Sequence, residues 1–599
     1  MSDDFYIMYN PLTFNLMDMV LNKKSTSLNV ISYLTGLDTS LINEINYLDY
    51  LDFDLKKHRE GMVETFAIES YAALYIGNQI AKADPNRSVI QADGKRRTIY
   101  DIISSKGNKP KAVFITSMSS NFATTVAVAI VLNYAKIPVI IGGIHVSTSG
   151  DDVDIFIKKY CPHPELISQV NGPGDSFVIS EIIEDLNKKK IKQTYTGKVT
   201  IEDNHWKPLK NVTYLPPLYI NMLERIPLIG KYLAKKMKII PVSPYLGCPF
   251  SCNFCSISSL PIKQRKLTIR STDDFLNELE YLQEGGNFDS RLFFFLPDNL
   301  LLGWKKLDSI LDGIIERKLK INFASQISID IALNEKLLKK LRLAGATHFF
   351  IGLESLDINN LNFIGKHIVS DIKKTNVSVK EYYRNLIRKI QNCGISIHGA
   401  FILGLPYDYY DSFNNNTGND IANFCIENHI GLQPCSLTNL PGSQLFNEAQ
   451  KNGTWLYGKQ GTLEYLKSLC LTDLTEPNGL PPNQLDNSPL KVAIMAFESI
   501  NVAGTNLTAF KNAFFMMKKS YMNPTNRGQE SFKEKLIDSM YSFVSQLIVN
   551  LYKDHGEKVA YSANGIKGGL ERLYDIEKNI ATKAYFKEYI KKFRQKSRR

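Results

Sequence analysis

The sequence predicts an α/β protein: two successive blocks of alternating strands and helices, followed by a mostly helical block. Three observations carry that reading. Over residues 1–205 short apolar runs alternate with longer helical stretches, and over residues 237–454 the alternation repeats about six times. From 455 to 599 apolar residues recur at helical spacing instead, after a stretch marked by Pro477, Pro481 and Pro482. Residues 206–236 read as a linker between the two α/β blocks. A chain of 599 residues accommodates this division at about 150 residues per domain.

In the first block, residues 5–11 form a short strand ending in the turn Asn10-Pro11, and residues 111–116 form a second. A polar loop over 118–122 leads into an apolar helix over 122–132. Residues 138–145 read as a third strand ending near Gly142 and Gly143, and 166–175 as a fourth ending at Gly172 and Gly174. Glycines at the carboxyl ends of parallel strands let backbone approach a ligand, although tight turns use glycine equally well. The most apolar stretches, 122–132 and 137–142, are too short to span a bilayer, so no transmembrane segment is expected.

In the second block a strand at 239–247 opens into a cysteine-rich loop. Strands at 292–296, 321–327, 348–355, 395–406 and 431–437 follow, with helices at 272–282, 306–317, 335–344 and 379–393. These units make a partial version of a β/α barrel, whose chemistry collects at the carboxyl ends of its strands. Asp298, Asn299, Glu354, Ser355, Pro406 and Pro441 fall at those ends. Plainer uses exist for them: Asp298-Asn299 as a helix cap and Glu354 as an ion-pair partner.

Hydrophobic residues at 44% and charged residues at 22% describe a soluble globular chain. Eight cysteines are too few for a disulfide scaffold and the first residues lack a signal-peptide pattern, so a reducing, cytoplasmic location is expected. The net charge of +12 gathers in runs at 188–190, 231–238 and 591–599 that read as solvated faces. No nucleic-acid-binding module is evident, and no nucleic-acid partner is expected.

Cys248, Cys252 and Cys255 are spaced C-x3-C-x2-C, with Phe254 just before the last. Thiolates this close can converge on one iron–sulfur cluster, supplying three ligands where a closed cluster takes four. One iron then stays open to a small molecule, as a catalytic metal site differs from a structural one. A zinc site would need a fourth ligand, and the nearest histidines, His205 and His163, lie far upstream.

The motif resembles the signature of the radical S-adenosylmethionine (SAM) superfamily. That resemblance implies a 4Fe–4S cluster on Cys248, Cys252 and Cys255, whose open iron chelates S-adenosylmethionine and whose electron cleaves it to a 5′-deoxyadenosyl radical. It also implies Phe254 beside the adenine. Gly352-Leu-Glu-Ser355 is similar to the family's G-x-E-S, which implies Glu354 and Ser355 as S-adenosylmethionine contacts.

Ahead of the cysteines, Asn10-Pro11, the Gly-Gly-x-His at 142–145 and the Val-x-Gly-x-Gly-Asp at 170–175 are similar to the cobalamin-binding branch of that superfamily. There a Rossmann-like domain holds cobalamin against the barrel. The resemblance implies cobalamin contacts at Ser117, Ser119, Ser120, Gly142, Gly143, His145, Gly172 and Gly174. The D-x-H-x-x-G sequence whose histidine ligates cobalt in many cobalamin proteins is absent, and His145 is not read as a cobalt ligand.

The function this implies is methylation of an unactivated carbon, or of phosphorus, in a natural product, peptide or lipid precursor. An electron donor such as flavodoxin or ferredoxin is the implied partner. A non-methylating cyclase or rearrangement enzyme using both cofactors is the alternative. A non-catalytic iron–sulfur carrier or zinc-binding module is more distant, since a carrier needs no barrel and normally uses four cysteines. The helical block over 455–599 is expected to cap the barrel mouth. Substrate identity is not legible, because fold and cofactors do not specify it.

Overall fold

A computed structural model describes residues 5–11, 70–93, 109–118, 135–150, 161–198, 211–214, 239–284, 292–403, 405–409, 417–437 and 440–451, with single residues between 106 and 157. Ser119, Ser120 and the block read as helical over 455–599 lie outside the described residues.

The first sheet is built from β1 (Phe5–Asn10), β2 (Ser88–Asp93), β3 (Ala112–Thr116), β4 (Val139–Gly142), β5 (Ile167–Asn171), β6 (Thr194–Thr196) and β7 (Val212–Tyr214). Its helices include α1 (Tyr71–Ala83), α2 (Ile144–Thr148) and α3 (Ser176–Asn187). All seven strands are parallel, in the order β6-β5-β4-β3-β1-β2-β7. β1, β3 and β4 are buried at nearly every position, as strands of a sheet covered on both faces must be. Strand order reverses between β1 and β3, which makes a topological switch point. In open parallel sheets the ligand crevice lies beyond the carboxyl ends of the strands at such a point.

The structure corrects the expected third strand. β4 stops at Gly142, and Gly143 takes φ of +107°, where a Cβ would stand 2.3 Å from the Ser117 carbonyl oxygen. The chain turns there and starts α2, so His145 sits on a helix rather than at a strand end. Asp175, at the end of the Val-x-Gly-x-Gly-Asp run, caps α3: its Oδ1 accepts from Val178 N–H at 3.0 Å. The stretch read as a linker supplies β7, which pairs with β2, so the first sheet extends past residue 205.

The second sheet begins at β8 (Ile239–Val242) and passes through a short antiparallel ribbon of β9 (Tyr245–Leu246) and β10 (Thr268–Ile269). It continues with β11 (Leu292–Phe295), β12 (Asn322–Gln326), β13 (Ala346–Glu354), β14 (Ser396–Leu403) and β15 (Gly431–Ser436). Each of its six strands pairs in parallel with the next in sequence, the order of a β/α barrel rather than a doubly wound sheet. The intervening helices include α4 (Ile262–Arg265), α5 (Thr272–Glu284), α6 (Trp304–Glu316), α7 (Glu335–Leu343), α8 (Ile358–Phe363), α9 (Val369–Thr375) and α10 (Val379–Asn392). The six-unit reading holds.

Burial alternates along β13. Phe349, Ile351 and Leu353 join the core beneath the helices, so His348, Phe350, Gly352 and Glu354 project to the other face, the lumen. Phe294, Phe350 and His398 meet there, with Phe350 5.3 Å from Phe294 and 5.5 Å from His398 between ring centroids. α10 is capped by Ser378 Oγ, and its Tyr383 hydroxyl donates to the Leu353 carbonyl at 2.8 Å, pinning the last turn of β13. Among the described residues no helix is long and apolar enough to cross a membrane.

Candidate metal centre and facing cleft

β8 delivers the chain to the cysteine loop at the carboxyl end of the second sheet. Gly247, with φ of +98°, makes the entering turn; a Cβ there would stand 2.5 Å from the Lys266 carbonyl oxygen. Its N–H donates to Asp298 Oδ2 at 3.0 Å, so the strand-end carboxylate of β11 fixes the residue before Cys248. Asn299 serves as the expected cap: its Oδ1 accepts from Leu301 N–H and from Ser328 N–H, each at 3.1 Å.

Arg265, on α4, organises the loop itself. Its Nη1 donates to the carbonyls of Cys248 at 3.4 Å, Pro249 at 2.9 Å and Phe250 at 2.8 Å. The Ser258 hydroxyl lies 2.8 Å from the Cys252 carbonyl and 2.6 Å from that of Cys255. The loop is thus held by its backbone, which leaves the thiols for other work. All three are free and half-buried. Burial pushes each thiol above its ordinary value, and the Lys366 ammonium draws Cys252 back down. Phe254 packs against the barrel core.

Among the described residues no three His, Cys, Asp or Glu side chains converge on a single-ion site. Three thiols on one loop, half-buried and held through their backbone, are nonetheless a donor set suited to a polynuclear cluster, which spaces its thiolates more widely than one ion does. Binding in that form would release the thiol protons.

Glu354 ends β13 in a left-handed conformation, φ +67°, where the register against β14 shifts between Gly352 and Glu354. Such a bulge re-aims a side chain, and a non-glycine residue stays in that region only where its surroundings hold it. Here Tyr383 and Ser355 N–H both bond the Leu353 carbonyl. Glu354 Oε1 accepts from Lys366 Nζ at 2.9 Å. Burial opposes the Lys366 charge, but Glu354 and Cys252 outweigh it and hold its pKa above the usual lysine value. Ser355 is buried; its hydroxyl accepts from Asp357 N–H at 3.1 Å and lies 3.4 Å from Asn360 Nδ2.

The carboxyl ends of the two sheets face one another. A Cβ on Gly172, at the end of β5, would stand 3.1 Å from Gln264 Nε2 on α4. One on Gly442, beyond β15, would stand 2.9 Å from Thr148 of α2 and 2.8 Å from Ser259 Oγ. Gly172, with φ of +83°, also donates its N–H to Ser147 Oγ at 3.0 Å. Of the four glycines, Gly142 and Gly143 pack on Val170 and Ser117 and Gly174 on Ile76 of α1, while Gly172 meets the second domain directly. Ser117 and His145 do not present side chains there: both are buried, Ser117 Oγ accepting from Thr125 at 3.2 Å and His145 stacking on Phe122 at 3.9 Å. A cofactor in this cleft would rest on backbone, with His145 beneath it rather than aimed at it.

Sequence reasoning missed Arg265, Gln264 and Lys366. Each acts on a residue that no local spacing connects to it.

Residues 242–415 match the family model described as the Radical SAM superfamily. The chain is 24% identical over 321 residues to the bacteriochlorophyllide d C-8(2)-methyltransferase of Chlorobaculum tepidum, covering 53% of this chain and 63% of that protein. It is 23% identical over 337 residues to the hopanoid C-2 methylase of Rhodopseudomonas palustris, covering 55% and 56%. The chain therefore spans less than two thirds of the length of these relatives. Its fold is similar to that of the radical SAM methyltransferase TsrM from Kitasatospora setae, solved with cobalamin and a [4Fe-4S] cluster, at a TM-score of 0.53 and 12% identity over 93% of this chain and 99% of that one. The sequential six-stranded barrel with three cysteines beyond its first strand is the part of the chain that the Radical SAM superfamily model matches, so residues 242–415 are a radical SAM domain.

Proposed function

We propose that this chain is a cobalamin-dependent radical SAM methyltransferase acting on an unactivated carbon, or on phosphorus, of a natural product, peptide or lipid precursor. The observation that carries the reading is the facing of two carboxyl edges: Gly172 beyond β5 lies against Gln264 of α4, the helix that follows the cysteine loop, and Thr148 of α2 lies against Gly442 beyond β15. The names of the related methyltransferases support it.

In this reading Cys248, Cys252 and Cys255 hold the cluster, while Glu354 and Ser355 serve S-adenosylmethionine with Phe254 beside its adenine. Gly142, Gly143, Gly172 and Gly174 give cobalamin a backbone cradle, with Ser117, Ser119, Ser120 and His145 around it. When bound, the cluster with S-adenosylmethionine supplies a hydrogen-abstracting radical, and cobalamin supplies a methyl group. The protein's part is position and exclusion of water. Arg265 holds the backbone of the loop at Cys248, Pro249 and Phe250, and Lys366 holds the Glu354 carboxylate at the lumen. The narrow approach of Gly172 to Gln264 keeps the two cofactor sites adjacent. A low-potential electron donor is the implied partner, and the free cysteines suit a reducing cytoplasm.

Anaerobic reconstitution with iron, sulfide and hydroxocobalamin tests the reading. Expected are cluster and corrinoid absorbance in one chain, 5′-deoxyadenosine on reduction, and label from methyl-labelled S-adenosylmethionine in the product. Cleavage of S-adenosylmethionine with no label transferred would turn the assignment to a cyclase or rearrangement enzyme.

A further inference from the structure

Lys366 lies on the segment against which the cysteine loop rests. Two residues of the loop make that contact. Asn253 Nδ2 donates to the Phe363 carbonyl at 2.7 Å, and the Phe250 ring stacks on His367 with centroids 5.2 Å apart. Cys252 falls between the two loop residues in sequence, and Lys366 falls between the two they touch. His367 is half-exposed and pairs with Asp330. Lys366 is mostly buried and reaches instead to Glu354 Oε1 at 2.9 Å.

Charge is spread unevenly over the three thiols. Burial raises the Cys252 thiol most, and among the charges around it the Lys366 ammonium draws it down more strongly than the Glu354 carboxylate pushes it up. At Cys255, after burial and the Ile257 and Ser258 backbone, the leading charges are the carboxylates of Asp298 and Glu354, and at Cys248 the leading charge is Asp298. Arg265 directs its Nη1 at the carbonyls of Cys248, Pro249 and Phe250. The cation that bears on a sulfur is therefore Lys366, and it bears on Cys252. An iron–sulfur cluster gains a negative charge on reduction, so its potential follows the charges and hydrogen bonds around its sulfurs. A mostly buried cation acts there with little screening by salt.

We propose that Lys366 is an electrostatic positioning residue for the cluster: held by Glu354 beneath the cysteine loop, its ammonium acts on the Cys252 sulfur and favours the reduced state. This inference rests on the proposed reading of Cys248, Cys252 and Cys255 as holders of a 4Fe–4S cluster. The reduction it favours takes one electron from an external low-potential reductant, and no bond or proton moves. Glu354 has two opposed effects. It keeps Lys366 in place, and its own negative charge works against the added electron.

The test is the midpoint potential of the reconstituted full chain without S-adenosylmethionine, titrated with titanium(III) citrate and read by electron paramagnetic resonance. Lys366→Met is expected to make reduction roughly tenfold less favourable, a fall of about 59 mV for one electron. Lys366→Arg keeps the charge and should stay near the parent, and Glu354→Gln should shift the potential upward. The double variant Lys366→Met/Glu354→Gln leaves no unpaired buried carboxylate, and it should fall below Glu354→Gln by a similar step. Iron and sulfide content, measured in each sample, should match the parent. A purely structural lysine would cost iron without moving the potential in opposite directions. Unchanged potentials in both Lys366→Met proteins relative to their own backgrounds, or a fall in Lys366→Arg equal to that in Lys366→Met, would overturn the proposal. A parent chain that takes up no cluster would defeat the cluster reading, and this inference with it.

Discussion

Glu354 Oε1 and Lys366 Nζ meet at 2.9 Å at the end of β13, and the space they share exists because residue 352 is glycine. The bulge that turns Glu354 into the lumen and the lysine that receives it come from opposite sides of a loop closed by Asn253, whose Nδ2 donates to the Phe363 carbonyl at 2.7 Å. The carboxylate, the ammonium and the cysteine loop are therefore one mechanical unit.

A methyl group at residue 352 would strike that unit. A Cβ there would stand 2.2 Å from Glu354 Oε1 and 3.3 Å from Lys366 Nζ. Gly352→Ala is expected to displace the carboxylate and weaken S-adenosylmethionine binding by roughly tenfold, ~1.4 kcal/mol. Iron content after reconstitution should not change. Unaltered affinity by calorimetry would remove Glu354 from the cofactor site.

Arg265 contributes through geometry, because one guanidinium nitrogen reaches three successive carbonyls. Arg265→Met should reduce the iron retained after desalting, since hydrogen bonds from a charged donor contribute about 1.5–3 kcal/mol each before solvent screening. Arg265→Lys should recover only part of that, a point charge lacking the planar fork. Equal iron retention in all three proteins would mean that the loop orders itself.

Beneath the loop, Arg270 is fully buried, paired with Asp274 and Glu278 and donating to the Ser243 carbonyl at 3.2 Å. Arg270→Ala would leave two buried carboxylates without their cation, at a cost of about 3–5 kcal/mol. Urea denaturation checks this. Replacing all three charged residues with apolar ones of similar volume should recover most of the loss.

Burial pushes the Glu278 carboxyl up from 4.5 to about 7, an effect the Arg270 charge only partly offsets. The folded protein then holds more protons than the unfolded chain between those values. Its stability falls as pH rises through that window, and this group adds no further change above it. Wild type should therefore lose urea resistance relative to Glu278→Gln as pH is raised from 4.5 to 7. A difference that stays constant would place this carboxyl at its ordinary value.

Much of the fold was legible because its determinants are local. The apolar run at 112–116 is buried at four of its five positions, so its composition alone marks it as a strand covered on both faces. β2, β6 and β7 were missed: Ser88, Gln91 and Asp93 interrupt the apolar run of β2, β6 and β7 span three residues each, and β7 pairs only with β2. His145 was placed at a strand end because the apolar run continues past Gly142; the close approach of Ser117 to Gly143 is what turns the chain instead.

The sequence by itself determined the alternation of strands and helices, the spacing of the three thiols and the glycines at strand ends, since each is written within a few neighbouring residues. Only the tertiary structure decided that Lys366 holds Glu354, that Arg265 ties the cysteine loop and that Gln264 comes up against Gly172. Those meetings join residues 12 to 92 positions apart, and strand pairing rather than local pattern chooses which of them touch.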